Sequence, residues 1–168
     1  MPGHRPGPHA CSLATTSATR LVVPRSRRTL VRAECHGVAR PVIHGEILAG
    51  NGTWLLAPFS VDTGADRSVF SATILAALHL RPLITREHLG GLGGMATSVI
   101  VATQVRCNDA ARGTVTFRGQ YAAVIEREAL DMSVLGRDIT GLFALIVDRP
   151  GDVVCLLGKR HQYIIAPR

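Results

Sequence analysis

No apolar run in this 168-residue chain approaches the ~20 residues needed to span a bilayer; the longest, Ile139 to Val147, is broken by Thr140 and Gly141. The N-terminus lacks the apolar centre of a secretory signal, since Ser12 to Thr19 is mostly Ser, Thr and Ala. The expectation is a soluble, cytoplasmic chain with no membrane partner. The four cysteines, at 11, 35, 107 and 155, form no C-x-x-C, and the seven histidines form no H-E-x-x-H. No metal and no cofactor is therefore expected, and Cys107 and Cys155 read as reduced residues in or near strands. A phosphate-cradling loop is excluded as well. There is no G-x-x-x-x-G-K-[ST], and Gly91-Leu92-Gly93 lacks the later glycine of G-x-G-x-x-G. Lysine occurs once, at Lys159, against eighteen arginines, which reflects base composition rather than a binding device.

What is present is unevenly placed. The net charge is +7, but residues 1–33 hold six arginines and no acid, leaving the remainder at +1. The basicity belongs to a tail and not to a folded face. Residues 1–33 read as a basic, flexible leader and residues 34–168 as one domain, long enough to bury a core. The leader has the composition of a disordered tail, of a targeting presequence or of a pro-segment, and no nucleic-acid partner is expected except through it.

Short apolar-alternating runs with close-spaced turns mark the domain as mainly β. Val42, Ile43, Ile47 and Leu48 lead into Asn51-Gly52, a strong hairpin signal, and Thr53 to Val61 returns as a strand. Asn51-Gly52-Thr53 is also a glycosylation sequon, but the hairpin accounts for it without secretion. Pro58 inside that strand requires an edge or a bulge. Ser71 to Leu80 reads as a short helix with Ser71 as N-cap, Arg81-Pro82 as its end, and Ile74, Leu75, Leu78 and His79 toward the core. Met95 to Arg106, Thr114 to Phe117 and Tyr121 to Ile125 are further strands, with Asn108-Asp109 and Arg118-Gly119 as turns. Ile139 to Phe143 is a second short helix. Leu145 to Val147 and Val153 to Leu156 form a hairpin, and Tyr163 to Ile165 ends the domain.

One stretch carries chemistry. Phe59-Ser-Val-Asp-Thr-Gly-Ala-Asp-Arg-Ser-Val-Phe70 puts Asp62 at the end of a half-buried strand, inside a tight Asp-Thr-Gly turn. An acid so held is fixed in position and partly desolvated, as acid–base work requires. The bare triplet also fits an Asp-rich surface turn, and two further segments decide between these readings. Leu89-Gly-Gly-Leu-Gly-Gly94 and Ser133-Val-Leu-Gly-Arg-Asp-Ile139 follow in order. The first run resembles the active-site loop of aspartic proteases, with Ala65-Asp66 like the retroviral branch, the retropepsins. The second resembles the retropepsin flap and the third their second-half signature. The resemblance covers roughly Arg40 to Ile165.

The resemblance implies a single-lobe, retropepsin-like acid-protease fold: a small closed, barrel-like β domain with one or two short helices, homodimeric. Peptide hydrolysis of this type uses two carboxylates sharing a proton, one to activate water and one to donate to the carbonyl. This chain has one Asp-Thr-Gly, and its second half carries Val134-Leu-Gly-Arg137 where another acid would sit. The partner acid therefore comes from a second copy, placing two Asp62 side chains on a twofold axis. Thr63 is implied to bond the opposing loop, Gly64 to keep the turn narrow, and Asp66 and Arg137 to pair behind the site. Ala65 stands where pepsin-like enzymes carry a hydroxyl, which points to a mildly acidic working range. Gly90, Gly91, Leu92, Gly93 and Gly94 would form the flap over an extended peptide, with Leu92 as substrate lid or dimer contact. The partners are then the chain itself and a peptide or protein substrate. The alternative is a catalytically idle dimeric peptide-binding or scaffold module of the same fold, and a third reading puts an RNA-binding leader on a dimeric platform.

Overall fold

The computed structural model describes residues 30–32, 40–91, 93–108, 114–148 and 153–157. In chain order the strands are β1 (Leu30–Arg32), β2 (Val42–Leu48), β3 (Trp54–Val61) and β4 (Val69–Phe70), followed by the helix α1 (Ala72–Leu78). Then come β5 (Ile84–Gly91), β6 (Gly94–Asn108), β7 (Thr114–Val124) and β8 (Ser133–Leu135). The helix α2 (Arg137–Thr140) precedes β9 (Ala144–Asp148) and β10 (Val153–Leu157).

Six strands close a barrel in the order β2-β3-β8-β4-β7-β6, and β6 returns to β2 through Glu46↔Arg106 and Ile47↔Val105. Closure removes the open edges that an isolated sheet would expose. β5 extends from β6 as the outer arm of a hairpin, and β1-β10-β9 form a separate antiparallel sheet. Alternation along β3 buries Ala57, Phe59 and Val61, the face expected of a half-buried strand. Phe59, Phe70 and Tyr121 form an aromatic column, with ring centroids 6.2 Å and 5.2 Å apart. Burial, helped by the Asp138 charge, pushes the Tyr121 phenol up to about 12, so it stays a neutral donor, here to the Phe117 carbonyl at 3.1 Å.

The Asn51-Gly52 hairpin forms as expected. The Asn51 side-chain oxygen accepts from the Thr53 N–H and hydroxyl at 3.0 and 2.7 Å, and β2 pairs with β3 in unbroken register. Pro58 sits where no ladder bond is lost. The Val61 N–H points to Pro41 and the Asp62 N–H to Leu135, so alternation aims the Pro58 nitrogen at the β8 side, where pairing starts only at Phe59. The hairpin of β9 and β10 also forms, and it contributes Val154 and Leu156 to the core.

Several boundaries differ from the sequence reading. Arg118-Gly119 is not a turn: β7 runs through it, opposite Gln104 and Thr103, because eleven consecutive pairs with β6 outweigh two turn-prone residues. α1 ends at Leu78, and His79 caps it in the left-handed region at φ 49, exposed and not in the core. Ser71 occupies the N-cap without a side-chain capping bond. α2 begins at Arg137, two residues before the expected Ile139. Leu30–Arg32, counted with the leader, pair with Val153–Cys155 as a strand. The rest of the leader, Asp109 of the expected turn, Leu92 and the terminal segment Tyr163 to Ile165 lie outside the described residues. Among the described residues no helix is long and apolar enough to cross a membrane.

Candidate active site

β3 delivers Asp62 to the rim of the barrel. The strand's last pairing, Val61 with Leu135, is extended by the Asp62 N–H donating to the Leu135 carbonyl at 3.1 Å. The chain then reverses on its own acid: the Gly64 N–H donates to Asp62 Oδ1 at 2.8 Å, and the Ala65 N–H to the Asp62 carbonyl at 3.3 Å. Asp62, Thr63 and Gly64 are exposed and Ala65 is half-buried.

Behind this turn, the segment after β8 clamps the loop. The N–H groups of Arg137 and Asp138 donate to the carbonyls of Ala65 and Asp66 at 2.8 and 3.2 Å. Asp138 Oδ1 accepts from the Ser68 N–H at 2.9 Å, the Ser68 hydroxyl at 2.7 Å and the Ile139 N–H at 2.9 Å. The same Ser68 hydroxyl accepts from the Gly136 N–H at 3.0 Å. Such hydrogen bonds to a carboxylate are shorter and stronger than neutral ones. Gly136 has a steric role: a Cβ there would lie 2.3 Å from the Arg67 carbonyl carbon and 2.4 Å from its oxygen. Arg137 and Asp66 do form an ion pair, but with side chains 59% and 81% exposed it is not a buried link behind the site.

The glycine run lies on the β5–β6 hairpin. Gly90 pairs with Met95 and Gly91 with Gly94, and Gly94 takes φ 107, a conformation a side chain resists. A Cβ at Gly91, Gly93 or Gly94 would meet nothing within 4 Å. Arg67 Nη1 reaches Glu87 Oε1 at 3.4 Å, which joins the segment after the turn to the hairpin.

The structure thus brings Asp62, Thr63, Gly64, Ala65, Asp66 and Arg137 into one cluster and sets Gly90, Gly91, Gly93 and Gly94 on the hairpin. Sequence reasoning gave no role to Ser68, Asp138, Arg67 or Glu87. Asp138 stands in the quoted third segment, and an acid in the first turn of a helix is a readable signal for N–H binding. No comparable signal marks Ser68. Among the described residues no group of three or more His, Cys, Asp or Glu could hold a metal ion. The Cys107 thiol, pushed up to about 11 by burial, lies in the core.

Comparison with known proteins fits this geometry. The retropepsin-like aspartic protease from Rickettsia conorii superposes with a TM-score of 0.50 at 17% identity, over 77% of this chain and 98% of that one. EIAV protease complexed with the inhibitor HBY-793 gives a TM-score of 0.44 at 24% identity, over 64% of this chain and 92% of that one. No curated protein sequence matches. The aspartyl protease family matches residues 46–139, more than half the chain, spanning the Asp62 turn, the hairpin and the Gly136 segment. With its closed barrel and short helices in the retropepsin-like arrangement, the chain belongs to the aspartyl protease family.

Proposed function

We propose that the chain is an aspartic endopeptidase working as a homodimer, in which water is activated between Asp62 of two copies. The observation that carries this reading is the isolation of one carboxylate among three. Asp66 is paired with Arg137, and Asp138 takes three donors. Among the described residues the Asp62 side chain accepts only the Gly64 N–H, and it is exposed on a braced turn. β8 runs beside β3 and continues into Gly136 and Arg137, so the neighbouring strand offers no second acid. A copy related by a twofold axis supplies it. Two carboxylates in contact share one proton, leaving one to take a proton from water and the other to give one to the peptide carbonyl. The β5–β6 hairpin then closes over an extended peptide bound by main-chain hydrogen bonds.

Full-length protein incubated with a random peptide library at several pH values, with and without pepstatin, tests the reading. Pepstatin-sensitive cleavage is expected, with specific activity falling on dilution as dimer is lost. Asp62→Asn should abolish cleavage without unfolding the chain, and in excess it should poison wild type, because each mixed dimer holds one acid. Specific activity that is flat over a thousandfold dilution, with no inhibition by exchanging Asn subunits, would rule out the shared site. Peptide binding without cleavage in wild type would favour the idle module.

A further inference from the structure

Glu87 is an acid near the Asp62 turn that this mechanism leaves unused. It lies on β5 opposite Ser98, on the half-buried side of the strand with Leu89, while Arg86 and His88 point to solvent. That side carries its carboxylate toward the turn that holds Asp62, as its contact with Arg67 shows. The contact is thin: one guanidinium nitrogen reaches Oε1 at 3.4 Å, and the Arg67 side chain is 60% exposed. Glu87 Oε2 is buried and accepts no hydrogen bond among the described residues. The hydroxyl of Ser98 donates instead to the Glu87 backbone carbonyl at 3.2 Å. A carboxylate oxygen removed from water without a donor bears its desolvation cost unreturned, and an incoming cation with N–H groups recovers it.

We propose that Glu87 is a specificity-determining residue that selects peptides carrying a lysine or arginine side chain beneath the β5–β6 hairpin, the cation donating to its carboxylate, whose side chain is 34% exposed and turns to meet it. The assignment rests on the protease reading above. Arg67 competes for the same carboxylate and so limits the preference.

The test uses full-length protein and paired peptides, identified from the cleaved library, that differ only in lysine against norleucine at one position. Wild type should favour one lysine peptide in kcat/KM by about tenfold, the size of a single desolvated charge contact. Glu87→Gln should bring that ratio close to one, and Arg67→Gln should raise it. A purely structural ion pair would slow both peptides equally and leave the ratio unchanged, which overturns the proposal. Cleavage with no charge preference in wild type overturns it too, while the protease reading survives. Absence of any cleavage by wild type removes the protease reading and this assignment with it. Should Glu87→Gln fail to fold, the Arg67→Gln arm decides alone, an unchanged ratio being fatal.

Discussion

The Asp62 turn and the glycine hairpin, linked through Arg67 and Glu87, are built on opposite principles. The turn is over-determined. Three backbone bonds, a buried hydroxyl and a carboxylate that takes both donors of Ser68 fix residues 62–68 to residues 135–139. The hairpin tip has its own ladder and a positive φ at Gly94, with open space where side chains would be. A reacting group must be held within a fraction of an ångström, whereas a cover must move to admit substrate. On the proposed reading both demands are met, because hydroxyl and carboxylate brace the turn while glycines leave open space along the hairpin.

Substitutions that blur this contrast should rank accordingly. Gly136→Ala carries the largest effect. The added carbon meets Arg67 backbone that cannot step aside, so destabilisation should exceed ~4 kcal/mol in urea unfolding and peptide cleavage should vanish. A stable, active variant would mean that the turn is looser than its bonds imply. Ser68→Ala comes next, at ~3 kcal/mol, because it removes a bond to a carboxylate and strands the buried Gly136 N–H. Arg137→Ala should cost ~1 kcal/mol or less, since its ion pair with Asp66 lies in solvent in the single chain. A loss as large as that of Ser68→Ala would place this pair inside a subunit interface. Gly91→Ala and Gly93→Ala should leave unfolding within ~0.5 kcal/mol and lower kcat/KM. A fall in stability matching Ser68→Ala would erase the distinction between the two regions.

The same contrast explains what the sequence disclosed. Asp62, Gly64 and the hairpin glycines stand in short contiguous runs whose local chemistry is readable, as are Asn51-Gly52 and the β9–β10 hairpin. The clamp was not readable, because Ser68 is an ordinary serine until β8 and α2 bring Asp138 and Gly136 against it. The depth of the Asp66–Arg137 pair was equally hidden, since burial is a property of packing and not of spacing. Arg118-Gly119 misled for a related reason. A local turn preference yielded to the long register between β6 and β7, which no window of a few residues contains.

The partners of the Asp62 turn stand late in the chain. Ser68 waits for Gly136, 68 residues downstream, and for Asp138, 70 downstream, while Asp62 itself needs Leu135. On a ribosome adding ~5–20 residues per second, the acid emerges several seconds before anything exists to brace it. Contacts of such long range also form slowly once the chain is complete. A nascent or truncated chain ending before residue 133 thus displays Asp-Thr-Gly with no organised turn behind it. On the proposed reading, the site stays unassembled until residues 135–138 have been made and have docked.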